Sequence, residues 1–266
     1  MAGHTQKFYV STEKTRANPD VKSVIAVMSG KGGVGKSTVA TLLAIGLHRR
    51  GWHIGVLDAD ITGASIPKLF GLHQPPLVDN DGNIIPSMTQ DGIKIISTNL
   101  MLPNEDDAVI WRGPLISKMI KQFWENVAWG TLDALIVDLP PGTSDAALTV
   151  MQSLPITGIV LVTTPQDLAG LIVRKAAHMA EQIKIPLLGI VENMSFATCP
   201  HCGARYELFG PGRSEALAAA FSAPLLARLG LDPALTQASD AGEIEQYSSD
   251  EMTALVDALL TTLEVE

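Results

Sequence analysis

The residues best suited to chemistry fall in three places along the chain. The first is Gly30-Lys31-Gly32-Gly33-Val34-Gly35-Lys36-Ser37-Thr38, which fits G-x-x-x-x-G-K-[ST]. Glycines at these spacings let backbone N–H groups converge on phosphate oxygens and adopt φ angles other residues avoid. Lys36 can then reach the β- and γ-phosphates of a nucleotide, and the Ser37 hydroxyl can ligate Mg²⁺. The second place is a pair of acidic strand ends. Asp58-Ala59-Asp60 and Leu135-Ile136-Val137-Asp138 each follow an apolar run. A carboxylate at such an end can orient an attacking water, the role expected of Asp60, or hold Mg²⁺ through water, the role expected of Asp138. Asp58, nearer its strand, suits a structural or metal-shell part. The third place is Cys199-Pro200-His201-Cys202, a spacing used by both metal sites and redox sites.

Regular elements must carry these residues. Ser23–Ser29 reads as a buried strand entering the loop, and Val39–Arg50 as a helix leaving it, closed by Gly51. Trp52–Leu57 reads as a second strand running into Asp58. Ser65–Phe70 suits a short helix, and the Asn80-Asp81-Gly82-Asn83 turn predicts a small edge hairpin within Leu77–Met88. Strands are expected over 93–97, 132–139, 158–163, 187–191 and 225–229. Helices are expected from Pro114, over 145–154, 167–183 and 215–220, and at the end of the chain, the last over about 250–263. This alternation predicts an α/β fold: a mostly parallel twisted sheet with helices on both faces. No Pro/Ser/Gly linker or repeat divides the chain, so one domain is expected over 21–266, with residues 1–20 a mobile arm.

Ligands in such sheets lie at the carboxyl ends of strands, where most of these motifs fall. Gly142, in Pro140-Pro141-Gly142-Thr143-Ser144-Asp145, is positioned to offer its N–H to a γ-phosphate within a loop that changes on hydrolysis. Asn193 and the Thr164-Pro165-Gln166-Asp167 segment follow other strands and are candidate adenine contacts; a turn-forming Asn is an equal alternative.

Composition narrows the rest. With 266 residues, 46% hydrophobic and 18% charged, the chain is globular. A net charge of −9 argues against non-specific nucleic-acid binding, which needs clustered Lys and Arg. No apolar run is long enough to span a membrane, and residues 1–20 lack the apolar core of a secretory signal. The two cysteines do not make a disulfide scaffold. A thioredoxin-type site needs its own strand–helix context, and a zinc ribbon needs four ligands. His201, between the cysteines, is a poor third ligand. A two-fold dimer would bring two copies together as Cys₄, suited to an iron–sulfur cluster or zinc.

Lys31 is not required by an ordinary phosphate loop. With it, the loop resembles the deviant Walker A motif K-G-G-x-G-K-[ST] of the dimerising ATPases related to MinD, ParA and the nitrogenase iron protein. That resemblance implies that Lys31 crosses a dimer interface to the partner's nucleotide, and that Asp60 and Asp138 are the switch I and Walker B acids. Asp58-Ala59-Asp60-Ile61, Trp111-Arg112-Gly113-Pro114, Val137–Gly142, Glu192-Asn193-Met194-Ser195 and Cys199–Gly203 occur with the loop in this order. Together they resemble the Mrp/ApbC family of iron–sulfur cluster carrier ATPases, from about Val21 to about Tyr247. The resemblance implies a cytoplasmic homodimer that hydrolyses ATP with Mg²⁺. It would hold a [4Fe–4S] cluster through Cys199 and Cys202 of both copies and pass it to apo iron–sulfur proteins. Two other classes compete. A MinD- or ParA-like positioning ATPase would want a basic amphipathic tail or face, whereas the tail from Asp250 to Glu266 is acidic at both ends. A reductase like the nitrogenase iron protein takes its cluster cysteines from separate positions.

Overall fold

The computed structural model describes residues 18–60, 63, 65–101 and 113–264. Most of the expected arm, Ile61 and the Trp111-Arg112 pair lie outside these residues. The chain begins with β1 (Val21–Ser29), α1 (Lys36–Arg49), β2 (Ile54–Asp58) and α2 (Ile66–Leu69). Short strands β3 (Leu77–Val78), β4 (Ile84–Ile85) and β5 (Ser87–Met88) precede β6 (Lys94–Ser97). Then come α3 (Gly113–Glu125), β7 (Leu132–Asp138), α4 (Asp145–Ser153), β8 (Gly158–Thr163), α5 (Asp167–Gln182) and β9 (Leu187–Glu192). A small hairpin, β10 (Ala197–Thr198) and β11 (Arg205–Tyr206), leads to α6 (Ser214–Ala220), β12 (Leu225–Arg228), α7 (Pro233–Ala241) and α8 (Asp250–Glu264).

Eight strands form one sheet in the order β12-β9-β8-β1-β7-β2-β6-β5. Every pairing is parallel except that of β5, which adds to the edge antiparallel to β6. The expected hairpin is present as β3 and β4, but as a separate two-stranded sheet rather than at the edge of the large one, which β5 occupies; it is closed where both Asp81 and Asn83 donate backbone N–H to Asp79 Oδ1. Central strands are buried on both faces, so they read as unbroken apolar runs rather than alternating ones. One face is covered by Ile120 and Phe123 of α3, Val150 and Met151 of α4, Ala176 and Ala180 of α5 and Leu217 of α6. The other is covered by Val39, Leu43 and Leu47 of α1, Ile66 of α2 and Leu255 and Leu259 of α8.

This order puts β1 in the middle, between β7 and β8, with β2 beyond β7. Register then decides the site. Asp58 of β2 lies directly beside Asp138 of β7, and Val27 of β1 lies on the other side of Asp138. The two acids are 80 residues apart in sequence and become neighbours through the parallel ladder.

At the opposite end of the sheet, Asp133 pins three segments together. It accepts Lys22 Nζ at 2.6 Å and the His53 N–H at 2.8 Å. These bonds, the Lys22 bond foremost, hold its carboxyl down at about 2, below the usual 3.8. Because the folded value is the lower one, the resulting stability is present above about pH 4 and lost as pH falls through about 2. Asp133→Asn is therefore expected to cost about 1–2 kcal/mol in urea unfolding at pH 7 and much less near pH 2. An equal cost at both pH values would show that the charge is not what matters.

Candidate nucleotide site and cysteine hairpin

The glycine-rich loop runs from the buried end of β1 into the first turn of α1. Gly33 and Gly35 have φ of 79° and 80°, a left-handed conformation that a side chain disfavours. Gly35 caps α1, whose first N–H groups have no partner within the helix and face the loop's concavity. Lys36 is buried and donates Nζ to Asp138 Oδ1 at 2.6 Å; Asp60 Oδ2 is 3.9 Å from the same nitrogen. Ser37 Oγ donates to Asp138 Oδ2 at 2.5 Å. The Asp138 carboxylate thus holds both the lysine and the hydroxyl that the sequence assigns to phosphate and metal. Thr38 continues α1, and Val34 of the loop is buried.

Four ionisable residues, Lys36, Asp58, Asp60 and Asp138, share this small volume. Asp58 and Asp138 are both fully buried, and burial raises both carboxyls. Asp58 is pushed up to about 8, by burial first and by the neighbouring Asp138 second. Asp138 is raised by burial against the opposing pull of Lys36. Burial and the neighbouring Asp138 thus favour the neutral form of Asp58, while Asp138 pairs with Lys36. Asp58 accepts from Ser97 Oγ at 3.1 Å, the Ile66 N–H at 3.3 Å and the Asp60 N–H at 3.2 Å. Those bonds fix the turn that carries Asp60 toward the loop.

Donors and acceptors around the loop are arranged differently from the simplest sequence expectation. The Gly142 N–H, assigned to a γ-phosphate, donates to Ser29 O at 2.9 Å, with φ of 82°. Using it on phosphate requires that bond to break, which is a physical basis for a two-position loop. Lys31 Nζ donates to Gln166 Oε1 at 2.8 Å within its own chain, next to the buried Pro165. Asn193, a candidate adenine contact in the sequence, braces the loop with its amide. Its Nδ2 donates to Val34 O at 2.9 Å, and its Oδ1 accepts the Met194 N–H at 3.0 Å. A Cβ placed on Gly35 would lie 2.2 Å from that Nδ2.

Cys199 and Cys202 occupy the turn between β10 and β11, a hairpin too short to be legible in the sequence. The turn is closed by Cys199 N–H on Ala204 O and Gly203 N–H on Cys199 O, both at 2.9 Å. Both thiols are free; Cys199 is half-buried and Cys202 exposed. The Cys199 thiol is lowered, first by the Cys202 N–H, then by the His201 N–H and by the Cys202 thiol. A more accessible thiolate is a better metal ligand. Among the described residues, no group of three or more His, Cys, Asp and Glu side chains is placed to hold a metal ion. Sequence reading also missed a cavity of about 250 Å³ between Leu42 of α1, Phe196 and Thr198 ahead of the cysteines, and the Leu231–Leu235 segment. Its lining comes from separated parts of the chain, with no local pattern. Tyr247 closes one side by donating to Asp232 Oδ2 at 2.8 Å.

A model of the ParA group, described as the NUBPL iron-transfer P-loop NTPase, matches residues 20–263. The chain belongs to this family. Its fold and loop geometry are accordingly those of a P-loop NTPase. It is 46% identical over 226 residues to a protein of Aquifex aeolicus named iron-sulfur cluster carrier protein, covering 85% of this chain and 62% of that one. A protein of the same name from Clostridium perfringens is 44% identical over 235 residues, covering 86% of this chain and 82% of that one. The nucleotide-binding protein of Archaeoglobus fulgidus, solved in complex with ADP and with Co, superposes with a TM-score of 0.80 at 45% identity, covering 88% of this chain and 92% of that one. The cell division ATPase MinD of Pyrococcus furiosus shares the fold, with a TM-score of 0.67 at 24% identity over 92% of this chain and 99% of that one. No helix among the described residues is long and apolar enough to cross a membrane.

Proposed function

We propose that this NTPase is an ATP-hydrolysing carrier of iron–sulfur clusters. Two copies hold one [4Fe–4S] cluster between them and hand it to apo iron–sulfur proteins in the cytoplasm. The observation that carries this reading is the exposed Cys199–Cys202 turn with its lowered thiol. It offers two thiols where a cluster takes four ligands, a count that two copies of the turn would meet. The printed names of the Aquifex and Clostridium relatives support the same cargo.

The nucleotide chemistry follows from the loop. Lys36 and the backbone N–H groups at the start of α1 bind the phosphates, and Asp60, near Lys36, orients the water that splits the terminal P–O bond. The buried Asp138 and the Ser37 hydroxyl suit Mg²⁺, which supplies charge neutralisation on the phosphates when bound. We assign the base to the cavity beside Leu42, one wall of which is the helix that begins at the loop. Lys31 leaves Gln166 to reach the partner's nucleotide, so nucleotide binding and pairing of the two copies favour each other.

Anaerobic reconstitution with iron and sulfide should give about one four-iron cluster per two chains, from the thiolate count. Cys202→Ala should reduce bound iron and sulfide by more than about tenfold while leaving nucleotide affinity unchanged. Full cluster content in that variant would sink the proposal. Zinc in place of iron and sulfide would overturn the cargo while leaving the paired site.

A further inference from the structure

The cysteine hairpin is tied to the nucleotide end of the sheet by a forked side chain. Arg228, at the end of β12, donates Nε to Glu192 Oε1 at 2.9 Å and Nη2 to Glu207 Oε1 at 2.9 Å. Glu192 ends β9 and is buried, 1% exposed. It also accepts from Ser195 Oγ at 2.8 Å and from the Ser214 hydroxyl. The next residue along the chain is Asn193, whose amide holds Val34 of the phosphate loop. At the other prong, Glu207 follows β11 directly, five residues after Cys202. A second tie supports the hairpin: Arg205 lies over the Phe196 ring at 4.4 Å and donates to Glu251 of α8 at 2.6 Å.

A planar guanidinium binding two acids in different directions transmits displacement better than a single-point ammonium would. If the phosphate loop shifts on filling, Asn193 moves with Val34, and Glu192 is its covalent neighbour. Glu192 cannot slide freely, because its carboxylate is buried and its partners are fixed. We propose that Arg228 is a positioning residue. It couples the state of the phosphate loop, through Asn193 and Glu192, to the exposure of the Cys199 and Cys202 thiols, through Glu207. This builds on the reading of those thiols as the cargo site, but its test does not require a cluster.

The experiment measures reaction of the two thiols with a disulfide reagent under anaerobic conditions, in the full chain, without nucleotide and with Mg-ATP. The wild type is expected to change rate by about fivefold or more between the two states, in the range of ordinary coupling between sites. Arg228→Gln, which leaves the buried Glu192 carboxylate without its cation, should melt lower yet keep its nucleotide affinity, and should lose that response. Arg228→Lys, which keeps the charge but not the fork, should retain only part of it. Glu207→Gln, at a half-exposed position, should reproduce Arg228→Gln, and the double variant should add nothing. A merely structural arginine would lower the melting temperature without removing the nucleotide response. A wild-type response surviving in both single variants overturns the coupling, as does a wild type whose thiols ignore nucleotide. Thiols that respond while reconstitution yields no cluster would remove the cargo and leave the coupling standing.

Discussion

Gly35→Ala is expected to weaken ATP binding by at least about 100-fold, or about 2.7 kcal/mol, when measured by titration calorimetry. Two effects combine. An alanine at φ of 80° carries a left-handed strain of about 1–2 kcal/mol. Its Cβ would also sit 2.2 Å from Asn193 Nδ2, so either the loop or the amide must move. If the amide moves, the Val34 brace is lost; if the loop moves, its N–H groups no longer converge on one point. Asn193→Ala by itself is expected to cost only about tenfold in affinity, for one buried hydrogen bond. Combining it with Gly35→Ala should not rescue binding, because the φ strain remains. Affinity within about threefold of wild type in Gly35→Ala would show that the loop tolerates what its geometry forbids.

Asp138→Asn is expected to lower the ATP turnover number by about 10²–10³-fold, a loss of about 2.7–4 kcal/mol of transition-state stabilisation. The carboxylate accepts from both Lys36 and Ser37. An amide has one acceptor oxygen, so its NH₂ must face one of those donors. Folding should suffer less than removal of a buried counter-ion usually implies. Asp58 is held up partly by the charge of Asp138, so in the variant its carboxyl falls and can ionise to balance Lys36. The double variant Asp58→Asn/Asp138→Asn removes that fallback and should fail to fold or melt far lower. Phosphate release above about a tenth of the wild-type rate in Asp138→Asn would remove Asp138 from the machinery. Equal melting of the single and double variants would refute the compensation by Asp58.

The parts legible in the sequence are those whose physics is local. The loop needs its glycines and lysine in consecutive positions, so its pattern survives in one dimension. Strands buried on both faces appear as apolar runs, and their alternation with helices gives the parallel sheet, as β1, β7 and β8 illustrate. The hairpin at Asp79–Asn83 is legible because its turn chemistry is local too. The hairpin around Cys199 is not: two residues per strand carry no period, and its anchors, Glu192, Arg228 and Glu251, come from distant segments.

By itself, then, the sequence determined a phosphate loop on a strand–helix junction, acids at strand ends and a pair of metal-spaced thiols, because each depends on neighbours a few residues away. Only the tertiary structure decided that Asp58 stands beside Asp138, where burial and its neighbour raise its carboxyl. It also assigned Asn193 to bracing the loop, and gave the single arginine at position 228 a carboxylate on each side. Those outcomes depend on strand order and register, which bring together side chains separated by tens to more than a hundred residues and set the low dielectric in which their charges interact.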